Sequence, residues 1–250
     1  MTDDPLARYA PLDDNFRDQL VAIGKGAASL IPLIGGPLAE IIGVAVPRQR
    51  ADRIAAYVRE LDTRIQKLAE ETRQALAGNA AKIDLIEEGG YQAARAMSEE
   101  RILQIANAVA GGLDANDIDV LRRRRLLVML GELDDDEVAI LNAYGRTYAG
   151  GDRRAFAEIQ MPGRAHLGSP PEAHEQQRLY EAGKAHLLRL DLLKRNYGNV
   201  KKGELPEFES RIGDFKHRVE IAPLGRLLLK EIGLATPFDE ARESRRSTEA

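Results

Sequence analysis

Few residues in this chain have the types and spacing that catalysis requires. Residues 24–29, GKGAAS, place a lysine among glycines as phosphate-binding loops do, but glycine follows that lysine where a serine or threonine is needed. The histidines, His166, His174, His186 and His217, lack metal-ligand spacing, and there is no cysteine to act as a thiolate ligand or nucleophile. No serine lies in a nucleophile-elbow sequence. We therefore expect no catalytic residue, no metal and no cofactor, and a protein that is not an enzyme.

The most distinctive charged motif is a run of consecutive arginines, Arg122, Arg123, Arg124 and Arg125. Successive residues of a helix are rotated by about 100°, so four in a row cannot share one solvated face. The side that carries Arg122 and Arg125 is also apolar. Its apolar members are Ile118, Leu121, Val128 and Leu133. This pattern predicts arginine stems packed on apolar surface with their heads paired to Glu132 or to the acids at 134–136. The alternative is that the four arginines contact an anion such as a nucleic-acid phosphate.

The most unusual stretch is apolar. Residues 26–47, GAASLIPLIGGPLAEIIGVAVP, contain one charge, Glu40, and are followed by RQRADR. About 20 apolar residues can cross a bilayer. However, Pro32 and the sequence GGP at 35–37 predict a turn between two short helices. The turn and the carboxylate argue against a constitutive span, since an ionised carboxylate at the bilayer centre costs about 3 kcal/mol.

We therefore expect an apolar helical hairpin over residues 26–47. It is either the buried centre of a helical bundle or a segment that is covered at rest and inserts into a membrane after a trigger. In the second case the basic residues beyond the hairpin would lie among anionic headgroups. The candidate membrane or partner contacts are Leu30, Ile31, Leu33, Ile34, Gly35, Gly36, Leu38, Ile41, Ile42 and Val44.

Helix-forming residues surround these motifs. Hydrophobic residues make up 44% of the 250 residues and charged residues 30%, which is typical of a folded soluble protein. A net charge of −4 argues against a general nucleic-acid binder. The acidic N-terminal sequence lacks the positive region of a signal peptide, so we expect a cytoplasmic protein that becomes membrane-associated only when activated.

Apolar periodicity predicts a mostly α-helical fold. A long helix is predicted over residues 50–77, and further helices over 81–97, 99–110, 118–130 and 135–144. The seam of the long helix comprises Ile54, Val58, Leu61, Ile65, Leu68 and Thr72. Ser98 is predicted to be an N-cap, and Asp134 with Glu137 a capping box. We expect a flexible N-terminus over 1–14 and a bundle over 15–113, built around the apolar hairpin.

The C-terminal half has a different pattern. A linker-like segment at 161–172 precedes a helix over 171–190, the strand LLKRNYG, a loop, the strand DFKHRVEI and the helix APLGRLLLKEIG. This order predicts a winged-helix-like module over 114–236 and a disordered tail over 237–250. The charges of the long helix are balanced and the wing is only modestly basic, which favours a protein partner over nucleic acid.

Three stretches, ASLIPLIGGPLAEIIG, EEGGYQAARAMSEERILQIANAVAGGL and APLGRLLLKEIG, together resemble the Abi-alpha family of bacterial proteins. The resemblance covers roughly residues 20–235 and rests on layout and apolar motifs. That family is linked to abortive infection of phage-infected cells and has no established catalytic residues to carry over. The resemblance therefore implies a role in phage defence or control of cell state.

Together these observations lead us to expect a non-enzymatic defence or stress effector. It would act by binding a protein partner or a second copy of itself, with conditional membrane insertion of residues 26–47. The alternative is a winged-helix nucleic-acid-binding regulator in which the apolar hairpin serves only as core.

A substitution at Glu40 separates the two roles of the hairpin. If the hairpin inserts into membranes, Glu40→Leu should increase liposome binding, because the carboxylate is the main charge opposing insertion. If the hairpin is core, the variant should stay soluble with a modest change in stability. Liposome flotation of the folded variant makes the measurement, and unchanged partitioning would contradict insertion.

Overall fold

The computed structural model describes residues 48–76, 79–152, 154–159, 161–163, 165–210 and 213–249. The helical hairpin predicted for residues 26–47, with all of its candidate contact residues, lies outside these ranges. The described residues are mostly helical, with small antiparallel ladders in the C-terminal half, which confirms the predicted fold class at this level. The chain divides into two compact units between Val128 and Met129.

The first unit is built from helices. They are α1 (Arg48–Ile65), α2 (Glu70–Leu76), α3 (Ala80–Ala93), α4 (Glu99–Leu113) and the first three turns of α5 (Asp117–Glu132). The long helix predicted to reach residue 77 ends at Ile65, because the amides of Lys67 and Leu68 bond three residues back and tighten the last turn. The predicted cap at Ser98 is confirmed, since its side chain accepts a hydrogen bond from the amide of Arg101.

The core of the first unit forms where α1 packs on α3 and α4. The α1 seam is buried at Ile54, Val58, Leu61 and Ile65, as predicted. Between these positions Tyr57 is fully buried, and its hydroxyl donates a 3.0 Å hydrogen bond to the carbonyl of Ile86.

A glycine on α3 makes room for the Tyr57 ring. A Cβ at Gly89 would lie 2.9 Å from Tyr57 Cζ and 2.7 Å from Val109 Cγ2, so α1, α3 and α4 meet closely only without a side chain there. Burial of the Tyr57 hydroxyl raises its pKa far above that of an exposed tyrosine.

The second unit combines helices with short strands. Its helices are α6 (Asp135–Thr147), α7 (Ala155–Glu158), α8 (Pro171–Arg189), α9 (Pro223–Glu231) and α10 (Pro237–Glu249), with a 3₁₀ turn at Tyr148–Gly150. Its strands are β1 (Leu193–Asn196), β2 (Phe208–Glu209), β3 (Asp214–Phe215) and β4 (Arg218–Ile221). β1 pairs antiparallel with β4, with Leu193 opposite Ile221. Residues 197–217, which connect β1 to β4 and are called the excursion below, contain the second pair, β2 with β3. The predicted strand LLKRNYG is present as β1, whereas the predicted strand DFKHRVEI is divided into β3 and β4, of which β4 pairs with β1.

The core of the second unit gathers around α6, which contacts α8, α9 and β4. Its buried members include Val138, Leu141, Leu187, Leu192, Leu193, Ile221, Leu228 and Leu229. Gly225 allows α9 to approach closely, because a Cβ there would collide with the carbonyl oxygen of Leu192.

The C-terminal segment predicted to be disordered instead forms α10. Thr236 caps it, since the amide of Asp239 donates to Thr236 Oγ1 over 3.2 Å. The guanidinium of Arg226 bonds Asp239 at 2.9 Å and lies 4.8 Å from the ring of Tyr148 and 5.2 Å from that of Phe238. The polar composition did not indicate this helix, because it is held by the Thr236 cap, by the ion pairs Arg226–Asp239 and Lys230–Glu243, and by the contact of Phe238 with Tyr148.

Replacing Tyr57 with phenylalanine should destabilise the protein in a pH-dependent way. At pH 7 the variant loses one buried hydrogen bond, about 1 kcal/mol of unfolding free energy. Because the folded pKa is raised, the contribution of the neutral hydroxyl is complete below pH 10.0, the pKa of an exposed tyrosine, and is lost progressively as pH rises from there to the folded pKa. That loss is about 1.4 kcal/mol by one pH unit above the unfolded pKa, so the difference between variant and wild type should vanish near pH 11.

Urea unfolding at both pH values makes the measurement. The matched control is Tyr91→Phe, at a position 50% exposed, for which we expect no difference between the two pH values. An equal destabilisation by Tyr57→Phe at both pH values would contradict the account.

Candidate functional site

The arginine run lies on α5, and the core fixes which side of that helix faces inward. Asn116 starts the helix by accepting the amide of Asp119 at 3.1 Å. Val120, Leu126 and Leu127 are buried at 0%, 6% and 0% exposure. The side-chain amide of Gln92 on α3 donates to the Leu127 carbonyl at 2.8 Å, which adds a polar contact to this apolar packing.

The opposite side of α5 forms an exposed surface that we call the arginine face. It consists of Leu121, Arg122, Arg124, Arg125 and Val128. Leu121 is 63% exposed and Val128 is 42% exposed. With a rotation of about 100° per residue, these two lie about 20° apart at the centre of the face, with Arg124 about 40° to one side and Arg125 about 40° to the other. An apolar centre thus has an arginine on each flank.

The positive charges of the arginine face are paired with few acidic side chains of the described chain. Arg122 makes an exposed 2.9 Å ion pair with Asp119, an interaction worth at most about 1 kcal/mol. Arg124 and Arg125 are exposed, and within the described part of the chain neither has a hydrogen-bond or ion-pair partner. Arg123 differs, because it is half-buried near Gly112 and has a polar interaction of its own. Two guanidinium groups are therefore available to an external anion.

The packing predicted for the arginine run was wrong. The side that carries Leu121, Val128 and Arg125 faces solvent, and Arg122 pairs with Asp119 instead of Glu132 or the acids at 134–136. The prediction failed because α5 has apolar residues on two sides. Which side is buried depends on packing against other helices, and the sequence of α5 alone does not show it. The alternative, an anion contact by the four arginines, stays a prediction, and only Arg122, Arg124 and Arg125 are positioned outward for it.

The paired strands of the second unit carry basic residues that are partly matched by acids. Lys194 lies opposite Glu220 across the β1–β4 pair, and Glu220 accepts a 2.7 Å hydrogen bond from Asn196. In the excursion, Lys216 pairs with Glu207 at 3.2 Å. These contacts leave a surface of mixed sign, in contrast to the arginine face.

A polar cluster that the sequence did not predict joins α6 to α8. The Glu137 carboxylate lies 2.6 Å from Nδ1 of His186 and also accepts the amide of Asp134 at 3.0 Å, which completes the predicted capping box. Further along the same helices, burial and the neighbouring Tyr180 raise the pKa of Tyr144. The capping box was visible in the sequence, but its histidine partner is 49 residues away and was not.

The contacts of this cluster hold α6 against α8 and do not form a reaction centre. Glu137 is 7% exposed and has both oxygens engaged, one by the cap and one by His186. No group of three His, Asp or Glu residues able to hold a metal ion occurs among the described residues. A cavity of about 320 Å³ between the end of α6 and β4 contains one carboxylate, Glu220, which Asn196 already engages.

Comparisons with protein-family models, curated proteins and solved structures found no match to this chain. Across the part of the chain that the structure covers, every helix is too short or too polar to cross a bilayer. The Abi-alpha resemblance therefore remains an expectation from motifs.

Because Arg122 and Arg125 are exposed, replacing both with alanine should change the unfolding free energy by no more than about 0.5 kcal/mol. The matched control on the same helix is Leu127→Ala, which removes a fully buried side chain and should cost about 2–5 kcal/mol. Urea denaturation followed by circular dichroism makes the comparison. A loss for the arginine pair similar to that of Leu127→Ala would show that these side chains are structural.

Proposed function

We propose that this protein is a non-enzymatic effector of bacterial defence or stress that acts by binding a partner through the arginine face. Conditional insertion of the apolar hairpin at 26–47 is the second part of the proposal. The observation that carries it is the exposed apolar pair Leu121 and Val128 between two arginines that lack described counter-ions.

The composition of the arginine face supports binding because it is unfavourable for the isolated helix. Arg122 and Arg125 are three residues apart, and like charges at that spacing destabilise a helix by a few tenths of a kcal/mol. Asp119 compensates only Arg122. Single exposed apolar residues are ordinary, but Leu121 and Val128 lie on the same side of one rigid helix, two turns or about 10 Å apart along its axis. Arginine is also among the residues enriched at protein interfaces.

The role in defence or stress is supported by the motif resemblance and by the apolar sequence at 26–47. An effector that binds a partner or perturbs a membrane needs no reaction centre. Such a protein needs a surface that binds its target and a segment that moves from the protein interior into a membrane. The arginine face and the apolar sequence at 26–47 would supply these two parts.

The second candidate function is nucleic-acid binding by a winged-helix-like module. It is favoured by the order α8, β1, an excursion containing β2 and β3, and β4. The excursion exposes Lys201 and Lys202, together with Phe208 at 55% exposure. Exposed lysines and an aromatic ring suit a nucleic-acid backbone and bases. The nearby acids, however, make this surface less positive than the arginine face.

Growth arrest on induced expression, with phage challenge alongside, tests the proposal. The double substitution Arg124→Glu and Arg125→Glu should abolish the effect, because it reverses the unpaired charges while leaving the core of α5 intact. The matched control, Lys201→Glu and Lys202→Glu, makes the same charge change on the excursion and should retain the effect. Circular dichroism establishes that both variants are folded.

Two results would go against the proposal. If only the lysine variant loses the effect, and wild-type protein binds DNA with an affinity that falls as salt rises, the regulator is the better account. If the wild-type protein neither slows growth nor limits phage, the effector function is rejected.

A further inference from the structure

We propose that the arginine face docks on an anionic lipid bilayer, with Leu121 and Val128 entering the headgroup region and the arginines binding lipid phosphates. This inference rests on the proposed function, since it names the partner of the same surface. It concerns α5, which is a different part of the sequence from the apolar stretch at 26–47.

The order of residues around α5 matches what a bilayer surface requires. Interfacial helices insert apolar side chains about 5–10 Å, to the boundary between headgroups and acyl chains, and place cationic side chains beside them. Leu121 and Val128 occupy the centre of the arginine face, and Arg124 and Arg125 flank them. Long arginine side chains can extend outward while their stems cover apolar surface, so both flanks reach phosphates when the centre is inserted. Each guanidinium can bind a phosphate through two parallel hydrogen bonds.

The apolar centre distinguishes a lipid surface from the other polyanions. A nucleic-acid backbone is contacted through charged and hydrogen-bonding groups, for which an exposed leucine and valine at the centre would have no partner. An acidic protein would need a groove shaped to the convex side of a single helix, whereas lipid headgroups rearrange around it. The observations therefore favour a bilayer, and the other two partners become outcomes of the test.

The remainder of the N-terminal sequence is consistent with the same partner. The longest apolar stretch of the chain, at 26–47, is followed directly by the arginines at positions 48 and 50. The arginine face carries only two unpaired cations, so docking by this surface alone is weak and reversible. Stable membrane attachment takes two signals, and the hairpin would supply the second one after the trigger.

Vesicle sedimentation of the full chain tests the inference. Wild-type protein should bind vesicles of mixed phosphatidylglycerol and phosphatidylcholine, and should not bind phosphatidylcholine alone. Neutralising each arginine should weaken binding about fivefold, so Arg124→Gln with Arg125→Gln should weaken it about thirtyfold. Leu121→Ser with Val128→Ser should weaken binding at unchanged charge. The matched control, Lys201→Gln with Lys202→Gln, should bind as the wild type does.

Each alternative outcome overturns the inference. If wild-type protein bound neutral and anionic vesicles equally, charge would have no role in binding. If the lysine control lost as much binding as the arginine variant, binding would depend on net charge and not on the arginine face. Unchanged binding after the Leu121 and Val128 substitutions would remove the apolar contact. Stronger binding to duplex DNA than to anionic vesicles, or no vesicle binding at all, would exclude lipid as the partner. Thermal unfolding of every variant confirms that binding is compared among folded proteins.

The failure of this inference is distinguishable from failure of the proposed function. If charge reversal at Arg124 and Arg125 abolishes growth arrest but wild-type protein binds no vesicles, the arginine face remains functional and its partner is an acidic macromolecule. If the same variant still arrests growth, the proposed function fails whatever the vesicles show.

Discussion

The rotation of α5 about its own axis is the constraint on which the arginine face depends. Val120 and Leu127 are completely buried, and the Leu127 carbonyl is bonded by the Gln92 side chain from α3. Neighbouring residues of a helix point about 100° apart. Val120, Leu126 and Leu127 together define the inward side, and Leu121 and Val128 lie on the opposite side of the helix, at 63% and 42% exposure. The exposed apolar pair and its flanking arginines are thus a consequence of core packing and belong to a rigid element, which is where a binding surface is held most accurately.

Local signals in the sequence were sufficient for much of the fold. Ser98 and the Asp134–Glu137 capping box marked helix starts because side-chain caps satisfy amides within three residues. The α1 seam was also correct through Ile65, because one apolar stripe left a single side to bury. The β1 and β4 strands were likewise visible as a change of pattern after α8.

Predictions from the sequence were wrong or incomplete where a structure depends on contacts with residues far away in the chain. α5 has apolar residues on two sides, so its periodicity could not select the inward one, and the structure shows that Val120 and Leu127 were the core residues. The contact of His186 with Glu137 was not predicted because the two residues are far apart in the sequence. The helix α10 was missed for the same reason, since it is held by Arg226 from another helix. The candidate site was therefore predicted as a motif, while its exposure and the arrangement of its arginines came only from the structure.

In the second unit, ionic contacts fasten elements that have little apolar surface to bury. Arg146, near the end of α6, bonds both Asp152 and Glu158, and this holds the tight turn in which Ala149 has a φ of 54°. The amide of Arg154 and the Arg146 side chain lower the pKa of Asp152, so its carboxylate stays ionised to lower pH than usual. Deeper in the unit, the Glu137 side chain joins α6 to α8 through its 2.6 Å contact with His186, and removal of one member of this nearly buried pair leaves the other without its hydrogen bond.

We infer that the arginine face is open to water until its partner covers it. The chain has no cysteine, so Leu121→Cys gives a single position for an environment-sensitive fluorophore. Its emission should be that of a water-exposed dye in buffer and should shift to the blue when anionic vesicles are added, while the same dye at Lys201→Cys stays unchanged. A blue-shifted emission in buffer alone would show that the face is already covered. A spectrum unchanged by vesicles that do bind the protein would show that another surface makes the contact.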